Sequence, residues 1–467
     1  MAAALRLKKR ALRDEERRFL IEGAQAVGEA LGHAGGLEAL FHSVEDHPLL
    51  QRAHESSADL IRVSDEVMRT LTSTVTPQGL LGVAAYLDVG LDDLPDDAGC
   101  VAVLHAVRDP GNAGTILRSA DAAGASAVVF SSGSVDPYNP KTVRASAGSL
   151  FHLPLVRDAD TDRAVAALRA RGVRMLAMDA RGEHDLYEID LHEPVAFLFG
   201  NEAWGLPPEV AALADRTVRV PIPGAAESLN LAAAATVCLF EWARRKREER
   251  RAVLETIIAS AAHDIRTPLT AMKGFGHALS TRWREMTDDQ RQLMLSGIVY
   301  DTDRMNGILR QLVDAARLAA GSLELYPERV EVAGLVRSVA DSLARDPDHP
   351  RVVWRGGELE AFVDPERLRM VLEAFIESLV WWTGEGDVLV EGELEDGRLH
   401  LRTTRGGTDL SQQQAEHLFQ PREPGTGAGS KIGLFVAMGV AAAQGGTVSV
   451  SVDDRVLTFA LMVPAGV

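Results

Sequence analysis

Residues 243–253 read ARRKREERRAV, with eight of eleven positions charged and apolar runs on both sides. The preceding run ends SLNLAAAATVCLFEW (228–242), and the following one opens LETIIASAAHDIRTPLTAMKGF (254–275). A basic tail, an RNA-binding patch and a bridge between two folding units are the competing readings. The stretch holds no glycine or proline, so nothing halts a helix entering it from residue 242. Glu248 stands four residues after Arg244, and Glu249 four after Arg245. Acid–base neighbours at that spacing support an exposed helix. The stretch reads as a helical connector, with a solvated basic face and an RNA contact left open. A connector implies a different protein on either side.

The totals agree with several domains, because 467 residues exceed one ordinary core. Hydrophobic content of 46% with 25% charged residues describes globular protein. Cys100 and Cys238 cannot build a disulfide framework, which points to a reducing, cytoplasmic compartment. No uninterrupted apolar run approaches the roughly 18–20 residues of a membrane helix, so no membrane partner is expected. The basic opening MAAALRLKKRALRDEERRF lacks an apolar signal core, so secretion is not expected. A net charge of −18 argues against indiscriminate nucleic-acid binding, which relies on phosphate neutralisation. Local basic patches could still serve a specific RNA enzyme.

Before the connector, helical patterns alternate with short apolar strands. FLIEG (19–23) reads as a strand entry, GLLGVAAYL (79–87) continues the same small α/β unit, and LDDLPDDAGC (91–100) reads as a linker. CVAVLHAV (100–107) opens a second unit in which strands and helices alternate to about residue 243. That alternation implies a mostly parallel sheet with helices on both faces. Three stretches stand out in it. In RDPGNAGTILRSADAAGASAVVF (108–130) a Gly/Asn-rich turn opens a helix, where exposed N–H groups suit a polar ligand. In VAFLFGNEAWGLPPEV (195–210) Asn201, Glu202 and Trp204 lie just past the carboxyl end of a strand, the edge at which α/β sheets bind ligands. In VRVPIPGAAESLNLAAAATVCLFEW (218–242) Ser228 and Asn230 open a helix of small apolar residues, expected to be buried on all sides in a core or a subunit interface.

These stretches resemble the three motifs of the SpoU class of RNA ribose 2′-O-methyltransferases. Asn112, Gly114 and Arg118 match the first motif, GNEAWG from Gly200 the second, and IPGAAESLNLAAAA (222–235) the third. The opening segment resembles that family's substrate-binding domain, so the likeness spans about residues 5–243. It implies a trefoil-knotted fold whose loops 199–205, 220–224 and 228–230 hold S-adenosylmethionine through backbone groups. Phe199, Gly200, Asn201, Gly205, Ile222 and Leu229 are the cofactor-binding positions, and Arg118, Asn112, Glu202, Ser228 and Asn230 the catalytic ones. Guanidinium groups stay protonated, so Arg118 is expected to orient and polarise the ribose hydroxyl and a nearby phosphate, leaving the general base open. Glu202 is either the orienting partner of Arg118 or Asn112, or a carboxylate facing a helix dipole.

After the connector come two long amphipathic helical patterns, a hairpin that needs a partner to cover its apolar stripe. From about residue 330 short strands and helices form an α+β layer with an antiparallel sheet. HDIRTPLTAM (263–272) resembles the phosphoacceptor box of sensor histidine kinases, with His263 as acceptor, Asp264 beside it and Pro268 bending the helix. Histidine suits that role because imidazole can offer a free ring nitrogen at neutral pH. The likeness spans about 250–467 and implies ATP and magnesium as ligands, but the nucleotide positions depart from the family. Glu377 replaces the asparagine that holds magnesium, and Arg405 replaces the aspartate that accepts from adenine. Asp409 replaces a later glycine, while Gly427, Gly429 and Gly433 keep the phosphate lid, with Lys431 in place of another glycine.

The sequence therefore predicts an α/β multidomain chain. Its parts are a small α/β RNA-binding-like domain (1–92), a trefoil-knotted α/β methyltransferase domain (99–243) and a helical connector (244–252). A helical-hairpin dimerisation domain (253–322) and a degenerate α+β sandwich ATPase-like domain (328–467) follow. The expected activity is S-adenosylmethionine-dependent 2′-O-methylation of structured RNA, ribosomal before transfer RNA, by a homodimer. The competing reading is a cytoplasmic sensor kinase that autophosphorylates His263 for a response regulator, its first half sensing RNA or S-adenosylmethionine.

Overall fold

The computed structural model describes residues 2–320, 322–344, 349–419 and 432–466. The chain separates into two units, Met1–Glu248 and Glu249–Val467. In the first, helices α1 (Ala2–Arg6), α2 (Arg10–Glu16), α3 (Ala24–Gly32), α4 (Pro48–Glu55) and α5 (Asp65–Leu71) accompany a small sheet. Its strands are β1 (Arg18–Glu22), β2 (Ala39–His42), β3 (Asp59–Arg62) and β4 (Leu80–Ala85), in the order β1-β4-β2-β3.

A seven-stranded sheet follows, in the order β7-β6-β5-β10-β8-β11-β9. The strands are β5 (Cys100–Leu104), β6 (Ala127–Ser131), β7 (Leu155–Ala159), β8 (Arg174–Met178), β9 (His184–Asp185), β10 (Val195–Phe199) and β11 (Arg216–Arg219). All are paired in parallel, as the alternation predicted. Strands β5 (CVAVL) and β10 (VAFLF) are buried at every position, the continuous apolar pattern of a strand covered on both faces. Helices α6 (Pro110–Ala123), α7 (Pro140–Ser146), α8 (Thr161–Ala170) and α9 (Pro208–Ala211) complete the layers. Gly114, a first-motif residue, lets α6 lie on α7: a Cβ there would sit 2.5 Å from the Thr142 carbonyl oxygen. That glycine is a packing requirement.

The two sheets of this unit share one core, in which the ring of Phe19 of β1 packs at a tilt against that of Tyr138, with centroids 4.7 Å apart. A buried ion pair fixes the same contact. Arg13 of α2, 3% exposed, donates from Nη2 and Nε to Asp136 at 2.6 and 3.1 Å. Its Nη1 donates to the Leu7 and Lys8 carbonyls, so the guanidinium is well satisfied. Removing one partner of such a pair costs about 3–5 kcal/mol, because the other is left buried and charged.

Helix α10 runs unbroken from Leu231 to Arg282, through the connector. Arg244 pairs with Glu241 and Glu248, and Arg245 with Glu241. At the small-residue start of α10 this chain covers one side only, so of the two expected settings, a core or a subunit interface, its own core supplies just that side. Ala232, Ala235, Cys238, Leu239 and Trp242 are buried along one stripe, while Ala233 and Phe240 face solvent. A period of three to four residues leaves a second face that this chain alone does not cover. Pro268 lies inside the helix without ending it; its missing N–H leaves the Asp264 carbonyl without its helical donor.

In the second unit α11 (Asp288–Ala320) follows α10, and α12 (Val332–Leu343), α13 (Pro365–Trp382), α14 (Gln412–Glu416) and α15 (Gly433–Ala443) come later. A two-stranded ribbon joins β12 (Glu328–Glu331) to β14 (Glu360–Val363). The main sheet holds β13 (Val352–Gly356), β15 (Glu385–Glu395), β16 (Arg398–Gly406), β17 (Thr447–Asp453) and β18 (Val456–Pro464), ordered β13-β15-β16-β18-β17. Its pairings are antiparallel, as expected, except for the parallel pair β13–β15. The chain crosses from β13 to β15 by way of α13, and a helical crossover returns a strand in parallel. No helix among the described residues is long and apolar enough to cross a membrane.

Candidate functional site

In the large sheet the strand order reverses between β5 and β10: β6 and β7 lie beyond β5, and β8 beyond β10. Loops leaving the carboxyl ends of two such strands diverge and open a crevice, the usual ligand position in parallel sheets. The loop after β5 enters α6 through Asp109, whose Oδ1 accepts from Asn112 N at 2.8 Å, with Pro110 in the first turn. Asp109 is missing from the sequence-predicted set, although Asp-Pro before a helical pattern is a start signal that could have named it. The Asn112 N–H, and then Lys141, hold the Asp109 carboxyl below the ordinary range.

Across the crevice the loop after β10 is tightly built. Asn201 donates from Nδ2 to the Ala106 carbonyl at 2.7 Å and accepts at Oδ1 from Ala203 N at 2.8 Å. Asn201 and Gly205 exchange two backbone hydrogen bonds of 2.9 Å. Gly205 has φ +72°, and a Cβ on Gly200 would lie 2.3 Å from the Gly205 carbonyl carbon. Both glycines are therefore demanded by the turn itself. Phe199 is buried, and its carbonyl accepts from His105 N at 2.8 Å.

The three motif loops meet through side chains. Glu202 accepts from the backbone N–H groups of Arg108 (3.1 Å) and Asp109 (2.9 Å) and from Asn112 Nδ2 (3.2 Å). Asn230 Nδ2 donates to Asn112 Oδ1 at 3.1 Å, and its Oδ1 accepts from Ala232 N and Ala233 N at the start of α10. Burial alone would raise the Glu202 carboxyl, but the N–H donors of Arg108 and Asp109, its own N–H and Asn112 outweigh it and hold it below the ordinary value. Glu202 is thus the partner of Asn112 and also sits at the entrance of α6. Among the described residues it makes no hydrogen bond or ion pair with Arg118.

Arg118 lies on the exposed face of α6 and has no hydrogen bond or ion pair among the described residues. Ser228 and Leu229 are exposed on the loop before α10, and Ile222 is half-buried. Among the described residues the backbone N–H groups of Ile222 and of 224–229 donate to no protein acceptor. A run of free donors beside the crevice fits a cofactor held through backbone groups.

The second unit carries the other sequence-predicted positions. His263 is exposed on α10, its Nδ1 3.3 Å from Asp264 Oδ1. Glu377 of α13 reaches solvent, yet protein packed around it, and then the like charge of Glu373, push its carboxyl up to about 7. Arg405, at the end of β16, donates to the carbonyls of Gly386 (3.0 Å), Thr383 (3.1 Å) and Val380 (3.5 Å). It closes the carboxyl end of α13, where cations are favoured. Asp409 pairs with Arg455 at 3.0 Å. Gly433 is buried at the start of α15, whereas Gly427, Gly429 and Lys431 lie outside the described residues.

Comparison with known proteins finds three matching family models. The profile of the SpoU rRNA Methylase family matches residues 99–240, the MRM3-like substrate binding domain residues 2–82, and the His Kinase A (phospho-acceptor) domain residues 247–321. The chain is 35% identical over 222 residues to the 23S rRNA (guanosine(2553)-2′-O)-methyltransferase RlmP of Bacillus subtilis, covering 48% of this chain and 87% of that protein. It is 33% identical over 245 residues to the 23S rRNA (uridine(2479)-2′-O)-methyltransferase of Streptomyces viridochromogenes, covering 50% and 85%. Among solved structures it is similar to the AdoMet-bound rRNA methyltransferase of Sinorhizobium meliloti, with 36% identity, TM-score 0.48, and coverage of 52% and 94%. The chain belongs to the SpoU rRNA methylase family and carries a His Kinase A phospho-acceptor domain after its methylase domain.

Proposed function

We propose that the protein transfers the methyl group of S-adenosylmethionine to a ribose 2′-hydroxyl of structured RNA, ribosomal before transfer RNA. The observation that carries this is the Asn112–Glu202–Asn230 network, which joins the three motif loops at the β5/β10 crevice. When bound, S-adenosylmethionine supplies a methyl carbon activated by sulfonium charge. In this reading the loops 199–205, 220–224 and 228–230 hold it in the family's trefoil knot, with free N–H groups on the last two. Residues that align the two reactants can then supply much of the catalysis. Arg118 faces solvent with its five donors free, suited to a ribose hydroxyl and its phosphate. Glu202, held ionised by its donors, is a weak base and a good anchor, so its part is to fix Asn112. Two buried free thiols, Cys100 and Cys238, fit a reducing cytoplasm.

Incubation with tritiated S-adenosylmethionine and total cellular RNA should label RNA, and nuclease digestion should place the label on ribose. Unlabelled RNA, or label on the bases, would sink this reading.

The His Kinase A half is assigned to dimerisation or regulation. Exposed apolar residues on α10 and α11, among them Ile258, Leu269, Leu293, Val299, Leu309 and Val313, fit a second copy completing a four-helix bundle. Light scattering of the full chain should give twice its mass, and a monomer at micromolar concentration would exclude this assembly.

The residues present do not fit ATP with magnesium. Arg405 offers no acceptor to a purine amino group, and its donors are already engaged by carbonyls at the end of α13 and the start of β15. The Glu377 carboxyl, pushed upward by the protein around it and by Glu373, holds its proton more tightly than an ordinary carboxylate and must lose it before binding a metal. Autophosphorylation from γ-labelled ATP is expected to be absent or very slow. Robust acid-labile label that disappears in His263→Gln would restore the sensor-kinase reading, with a response regulator as partner.

A further inference from the structure

Trp204 is 58% exposed on the loop after β10, an unusual position for the largest apolar side chain. Its loop is not a slack tip. The paired backbone bonds of Asn201 and Gly205, the Asn201 bond to Ala106 and the close approach of Gly200 to Gly205 all fix it. The guanidinium carbon of Arg108 lies 5.5 Å from the Trp204 ring centroid. The Arg108 backbone N–H is bound to Glu202, so this residue is tied to the crevice network. Its guanidinium makes no hydrogen bond or ion pair among the described residues, leaving its donors open.

We propose that Trp204 and Arg108 form a subsite for an unpaired nucleobase beside the target ribose, the base stacking on the indole and a phosphate meeting the guanidinium. The proposal rests on the methyl-transfer reading. Single-stranded RNA is recognised by stacking unstacked bases on aromatic rings and arginine planes, with phosphates taken by cations. A base lifted from its neighbours to expose its ribose loses its stacking partners, and a fixed indole at the crevice mouth replaces one. The Arg108–Trp204 contact keeps one ring face covered and the ring oriented, so a base has a single face to occupy.

Two measurements on the full chain test this. In steady-state methylation of an RNA labelled by the wild type, Trp204→Ala should raise KM for RNA about tenfold to a hundredfold, the size of one lost stack. KM for S-adenosylmethionine should stay within about twofold, and Trp204→Phe should recover most of the RNA affinity. Separately, titration with a short unstructured oligoribonucleotide should quench indole fluorescence in the wild type and not in Trp204→Phe. An unchanged KM for RNA, or equal losses of RNA and cofactor affinity, overturns the subsite. So does an altered oligomeric state in Trp204→Ala, which would place a second copy on the ring. If the wild type labels no RNA, the methyl-transfer reading fails by itself. The quenching experiment then decides the subsite alone, and absent quenching rejects it.

Discussion

Arg118→Ala is expected to slow methyl transfer by about a hundredfold to a thousandfold, the usual loss when one group that stabilises developing charge is removed. Affinity for S-adenosylmethionine should remain within about twofold, because in the proposed reading backbone groups of other loops hold the cofactor. The fold gives this variant an unusually clean reading. Arg118 faces solvent on α6 and has no hydrogen-bond or ion-pair partner among the described residues, so no polar contact within the protein is lost. Alanine also favours the helix slightly more than arginine. Single-turnover transfer, measured beside equilibrium cofactor binding, separates the two effects. Normal turnover would remove Arg118 from the reaction.

Asn112→Asp should be comparably damaging at neutral pH, for an electrostatic reason. The Asn112 amide donates to Glu202 at 3.2 Å, and the substitution replaces that donor with a second carboxylate. Two carboxylates at such a distance do not both ionise freely, and one is driven to hold a proton. The helix is not the casualty, since an acidic residue in the first turn of α6 favours the dipole. In the wild type Glu202 is held below its ordinary value, so the network is present above the unfolded pKa and is lost as pH falls through the folded one. In the variant a shared proton restores an O–H donor, so its activity relative to wild type should rise as pH falls. The ratio of kcat/KM across pH is the measurement, and a flat ratio would falsify the repulsion argument.

Much of this was legible in the chain. Runs such as CVAVL and VAFLF announce buried parallel strands, and the absence of glycine and proline across 243–253 announces an unbroken α10. The three motif loops named Asn112, Glu202 and Asn230, and the fold brings Asn112 within hydrogen-bond reach of the other two. Other features depend on pairs remote in sequence. Arg13 and Asp136 stand 123 residues apart, and no local pattern marks either as buried and charged. Arg108 and Trp204 come from different loops and meet only because β5 and β10 are neighbours. At Arg405 the changed residue type was plain, but its new service to the end of α13 was not, because that needs the strand beside the helix. The open face at the start of α10 escapes the sequence for a related reason. Composition shows that a helix is apolar all round, and cannot say which molecule covers each side.

The side-chain amide of Asn230 has two unlike ends, and the difference governs its neighbours. The oxygen end is claimed by the Ala232 and Ala233 N–H groups of α10, which can only donate. That leaves the nitrogen end for Asn112, whose own oxygen must therefore turn towards Asn230 and whose nitrogen must turn towards Glu202. Glu202, as a carboxylate, only accepts and ends the series. The chain of bonds thus has a polarity, set at one terminus by helix backbone and at the other by ionised oxygen. Flipping either amide would set donor against donor or acceptor against acceptor, so each has a single orientation that is both allowed and required. Unwinding α10 by one turn would free the Asn230 oxygen and erase the rule that orients both amides.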